Sequence, residues 1–156
     1  MKTLEEITYE AGRDALADQE SIVTGIRQRT GTLLAAQALV ASFLGAATIR
    51  EHGLAPWSYA ALAVLLAGLA VAAVLLAPWT LKFAVDAEEL YAQLFPQASA
   101  EAQAGTLGWL AAAGYAYQEL RNENARRVRT MSVLSAVLAA TTVVQTLLWL
   151  IALAVA

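Results

Sequence analysis

The sequence predicts an all-α integral membrane protein with three transmembrane helices extended by cytoplasmic helices. Two observations predict it. Thr30 to Ile49, Gly53 to Leu81 and Thr130 to Ala156 contain no Asp, Glu, Lys, Arg or His, and each reaches the length of about 20 residues that crosses a bilayer. The 156 residues are 59% hydrophobic with a mean hydropathy of +0.55, above the range of soluble domains.

Residues 1–29 read as a cytoplasmic amphipathic helix continuous with the first span. Leu4, Ile7, Ala11, Ala15, Ile22, Ile26 and Leu33 recur near 11 residues per three turns, the spacing of one helix face. No proline interrupts them. Asp18 and Gln19 fall near the stripe, and Gly12 and Gly25 each cost about 1 kcal/mol of helix propensity. This polar start does not read as a cleavable signal peptide, so the first span is expected to remain in the mature protein.

The first span, residues 30–49, follows Arg27 and Arg29 and stops at Arg50-Glu51-His52. The second, 57–79, opens at Pro56-Trp57, where proline's missing N–H costs no hydrogen bond. Trp57 and Trp79 are 22 residues apart, roughly 33 Å of helix, matching the separation of the two aromatic belts of a bilayer. Residues 82–129 read as a cytoplasmic helical segment. In it Phe83, Leu90, Tyr91 and Leu94 share a face, Phe95-Pro96-Gln97 breaks the pattern, and Ser99, Glu101 and Gln103 mark a new start. Leu107, Leu110, Gly114, Tyr117, Leu120, Val128 and Met131 carry a stripe into the third span, 130–155.

Arg27, Arg29, Lys82, Arg121, Arg126, Arg127 and Arg129 flank the spans on one side, against Arg50 on the other. The positive-inside rule then places the N-terminus in the cytoplasm and the C-terminus outside. A net charge of −3, with no polybasic face, argues against nucleic acid as a partner. The absence of cysteine removes thiol nucleophiles and Cys-ligated metals. His52 is the only histidine, and no phosphate loop, zinc motif or catalytic triad pattern is present. The expectation is a non-enzyme without cofactor or metal.

No ionisable group lies within a span, which argues against coupled transport and voltage sensing. Candidate functional residues are therefore the neutral polar ones. In the third span Ser135, Ala139, Thr142, Thr146 and Trp149 form a small, hydroxylated face with Gln145 beside it. This face, with Gln37, either packs helix on helix or lines a pore in an oligomer. Ala63, Ala67, Gly68, Ala72 and Ala73 permit close helix approach, which favours homo-oligomers. Arg121, Arg126, Arg127 and Arg129 either anchor the topology or contact anionic ligands or lipid headgroups.

The segments Asp18 to Ala36 and Tyr115 to Asn124, each leading into an apolar helix, resemble small bacterial transmembrane effectors of nucleotide-signalled antiphage systems, Pycsar and related. The resemblance covers most of the chain as an organisation. It implies an effector that assembles in the inner membrane and, when triggered, disrupts it. The signal would be read by the cytoplasmic helices or by a protein partner. The alternative expectations are a membrane scaffold or regulatory subunit docking a cytoplasmic partner, and a phage holin. The uncharged end from Leu150 to Ala156 argues against the holin, which commonly ends in a charged tail.

Overall fold

A computed structural model of the chain describes residues 3–53, 55–81 and 105–155. Every regular element among them is helical: α1 (Leu4–Val40), a π-helical segment (Ala41–Gly45), α2 (Ala46–His52), α3 (Pro56–Leu76) and α4 (Gly105–Val155). Three helices are long and apolar enough to cross a membrane: Glu6–Glu51, Pro56–Leu76 and Ala113–Val155. The protein is thus all-α with three candidate spans. The readings made of residues 82 to 103, including Lys82, Phe83, Leu90, Tyr91, Leu94, the break at Phe95-Pro96-Gln97 and the start at Ser99, lie outside the described residues.

The helix ends follow from local chemistry. At the start of α1 the Glu6 amide donates to Thr3 Oγ1 (3.3 Å), and the Thr3 amide donates to Glu6 Oε2 (2.9 Å). This reciprocal capping box satisfies two backbone donors. Gly53 closes α2 at φ 72°, and its amide reaches the Ile49 carbonyl at 3.1 Å; a side chain would be strained there. Pro56 occupies the first turn of α3. That helix ends at Leu76 rather than Trp79, because the residue before a proline is driven out of the α region: Ala77, preceding Pro78, is extended at φ −55°, ψ 149°. Trp79 therefore lies beyond the helix, and the 22-residue tryptophan spacing does not measure a helical span.

The chain forms two compact units, Met1–Val23 with Trp79–Arg129, and Thr24–Pro78 with Thr130–Ala156. In the first, α1 and α4 pack closely. An ideal Cβ on Gly12 would stand 2.8 Å from the Gly114 carbonyl oxygen, and one on Gly114 would stand 3.0 Å from the Thr8 carbonyl oxygen. The rings of Tyr9 and Tyr117 meet edge-on, their centroids 5.7 Å apart. Gln19 Nε2 donates to the Arg121 carbonyl at 3.1 Å. Partners therefore advance together along both helices, which run parallel.

The residues buried on α1 in this unit are Gly12, Leu16, Gln19 and Val23, whereas Leu4, Ile7 and Ile22 are exposed. The stripe expected from hydrophobicity is thus displaced. Intervals of four and three replace the 11-residue spacing, as in parallel helices meeting at 3.5 residues per turn. The close approach is made by glycine and an amide, which a hydrophobic count does not register.

The second unit holds the first and third uncharged runs and the second as far as Pro78. On α4 Met131, Leu138, Gln145 and Ala152 are buried at intervals of seven, again a 3.5-residue period. On α3 the buried residues are Ser58, Ala61, Gly68, Ala72 and Leu75. Gly68 and Ala72 thus contribute to packing within the chain, while Ala63, Ala67 and Ala73 face outward. Leu39, Phe43, Leu66, Val143 and Leu147 are exposed. This unit presents aliphatic surface and buries small and polar groups, an arrangement matched to lipid.

Candidate functional site

The candidate site is a neutral polar node inside the second unit, built by α1, α3 and α4. Gln37 is fully buried. Its Nε2 donates to Thr141 Oγ1 (3.2 Å) and Thr142 Oγ1 (3.0 Å). Both hydroxyls in turn donate to the Leu138 carbonyl, at 2.8 and 2.9 Å. Gln145, also fully buried, sends Nε2 to the backbone carbonyl of Gln37 at 3.2 Å.

Gly68 completes the node from α3. An ideal Cβ there would lie 2.6 Å from Gln37 Nε2 and 2.8 Å from its Oε1. Only a residue without a side chain admits the amide at that place. The carbonyl oxygens Gln37 Oε1 and Gln145 Oε1 have no hydrogen-bond partner among the described residues. A polar group so buried costs on the order of 1–3 kcal/mol by mutational measures.

The π-helical segment lies one turn beyond Gln37. A side chain that inserts at a helix carbonyl is one of the recognised causes of a departure from the α ladder, and the Gln145 amide occupies that position. Within the segment Gly45 lies against Trp149, whose ring atoms stand 3.2 Å from the place of an added Cβ. Trp149 is buried with Ala61 and Ala152, and its Nε1 has no hydrogen-bond partner among the described residues. Although it stands near the end of the span, Trp149 is a core residue and not part of an interfacial belt.

The structure brings together Gln37, Thr142 and Gln145. Thr146 is half-buried, its hydroxyl donating to the Thr142 carbonyl at 2.8 Å. Ser135 is set apart and lines a separate groove with Arg29, Thr32, Leu33, Ser132, Ala136 and Ala139. Thr141 and Leu138 were not in the face read from sequence. Thr141 could have been found, because it neighbours Thr142 and shares its helix carbonyl.

The four arginines belong to the first unit and are all exposed. At about 100° per residue, Arg127 and Arg129 point roughly 160° apart, while Arg126 and Arg129 are neighbours on the helix. The four do not converge. The Arg127 guanidinium donates to the Thr80 carbonyl, and the Arg121 carbonyl receives Gln19. No cluster of His, Cys, Asp or Glu suited to a metal is found among the described residues.

No family model matches the chain, and neither curated proteins nor solved structures gave a match.

Proposed function

We propose that the protein is an oligomeric inner-membrane protein that forms or gates a pore, acting as an effector of the antiphage type that its organisation resembles. The carrying observation is the node. Two amides sit within the spanning unit with their carbonyl oxygens unpaired among the described residues, and the low dielectric of a bilayer makes each such group costly. Rearrangement that hydrates Gln37 and Gln145, or pairs them across subunits, would relieve that cost. The observed packing corresponds in this reading to the closed form. Opening would turn Thr142 and Gln145 towards water.

Induced expression in a bacterial host, followed with a voltage-sensitive dye, tests the reading. Depolarisation by the wild-type chain that falls at least tenfold in Gln145→Leu and Thr142→Leu, at equal membrane abundance, supports it. Depolarisation unchanged in both variants, or normal potential and growth under phage challenge, refutes it.

A second reading, a scaffold or regulatory subunit, is favoured by Leu4, Ile7 and Ile22, which are exposed and apolar outside the uncharged runs. Such side chains suit docking of a helical partner. Recovery of one stoichiometric partner without conductance would favour it.

A further inference from the structure

The second unit contains a groove of about 510 Å³ between α1 and α4, lined on one side by Arg29, Thr32 and Leu33 and on the other by Ser132, Ser135, Ala136 and Ala139. Both walls follow helix geometry. Residues i, i+3 and i+4 form the α1 wall, and i, i+3, i+4 and i+7 form the α4 wall, so each set occupies one face of its helix. From Ser132 to Ala139 the α4 wall extends roughly 10 Å along the axis.

The chemistry of the lining is graded. Arg29 immediately precedes the uncharged run that begins at Thr30, and it is the one ionisable side chain in the lining among the described residues. Thr32, whose hydroxyl donates to the Gln28 carbonyl at 3.3 Å, Ser132 and Ser135 complete the polar part of the lining. Leu33, Ala136 and Ala139 are apolar, and the two alanines leave space that larger side chains would fill. A cation and hydroxyls at the mouth, with a shallow aliphatic floor leading into the uncharged runs, complement an amphiphile that carries one negative charge.

We infer that this groove binds one anionic phospholipid, its phosphodiester held by the Arg29 guanidinium and its acyl chain lying over Ala136 and Ala139. Charge complementarity selects the headgroup. The arginine contacts the phosphate through a planar fork suited to bidentate donation, and an anionic surface adds roughly fivefold in affinity per basic residue. The apolar floor of Leu33, Ala136 and Ala139 selects a chain over a soluble anion. The site does not rest on the pore reading, because the groove is separate from the Gln37 node.

Native mass spectrometry of the full chain in mild detergent tests this, with phosphatidylglycerol and phosphatidylcholine of matched chain length as probes. One phosphatidylglycerol should be retained per chain, at least fivefold above phosphatidylcholine. Arg29→Gln should reduce it to the phosphatidylcholine level, and Ala136→Leu or Ala139→Leu should remove both lipids. Arg27→Gln, outside the groove, should change nothing. Equal retention of the two lipids, retention unaltered by Arg29→Gln, or displacement by inorganic phosphate alone would overturn the assignment. So would a shift from dimer to monomer in Ala136→Leu with lipid unchanged, since a second copy would then fill the groove.

Discussion

Replacing Gly12 with alanine should destabilise the protein, although the same exchange elsewhere on α1 should stabilise it. An ideal Cβ at Gly12 would lie 2.8 Å from the Gly114 carbonyl oxygen and 3.1 Å from Tyr117 Cβ, whereas ordinary contact begins at 3.4 Å. The obstructing oxygen is backbone, so the two helices must separate by about 0.6 Å, which forfeits a quarter to a half of the dispersion energy of the atoms moved. Overpacking of this kind costs about 1–3 kcal/mol, and the gain in helix propensity returns about 1 kcal/mol. At Gly25 and Gly31 nothing lies within 4 Å of an added Cβ, so only the gain remains. Gly12→Ala and Gly25→Ala should therefore differ by roughly 2 kcal/mol, or about 4–8 °C in melting midpoint. Circular dichroism of the purified variants in detergent reads this directly. A midpoint for Gly12→Ala as high as that of Gly25→Ala would refute the close backbone contact of α1 with α4.

Further outcomes follow from the same geometry. Gln37→Leu and Thr142→Val should be coupled, with an interaction energy of about 0.6–2 kcal/mol in a double-mutant cycle of detergent unfolding, since the Gln37 amide donates to the Thr142 hydroxyl. Gly45→Leu should expel Trp149 from its buried position, seen as a red shift of tryptophan emission relative to the wild type. Thr3→Ala should lower stability by about 1 kcal/mol through loss of the capping box, while a Glu6→Gln change, which can retain it, should cost less; amide exchange at the start of α1 reports both.

The three spans were legible because the bilayer imposes a length and excludes charge, and both are visible in residue identity alone. Less legible were the inward faces. Hydrophobic periodicity selected Ile26, which is buried, but also Leu4, Ile7 and Ile22, which are exposed, and it left Gly12, Gln19 and Thr30, which are buried, outside the stripe. In the first unit the close approach is made by Gly12, Gly114 and the Gln19 amide; in the uncharged runs, where lipid gives apolar side chains no reason to turn inward, close packing falls to small and hydrogen-bonding residues. Gln37, Thr142 and Gln145 were identifiable as rare polar groups in apolar runs, but their meeting with one another depends on helix pairing, which one chain's periodicity does not encode. The cap at Thr3 and Glu6 was readable as a Thr-x-x-Glu signature. The end of α3 was readable from Pro78, and the tryptophan spacing that suggested a longer helix had no steric content.

The π-helical turn at Ala41–Gly45 amounts to one surplus residue accommodated without breaking a helix. A single added residue displaces every later side chain by about 100° around the axis, so the orientation of Thr48 and of the turn at Gly53 depends on it. Chain length within this span is therefore a variable separate from sequence: deleting exposed Phe43 would remove the surplus residue and let the turn close as α-helix with Thr48 kept to its neighbours, whereas a deletion elsewhere in the helix would turn the far end by about 100°.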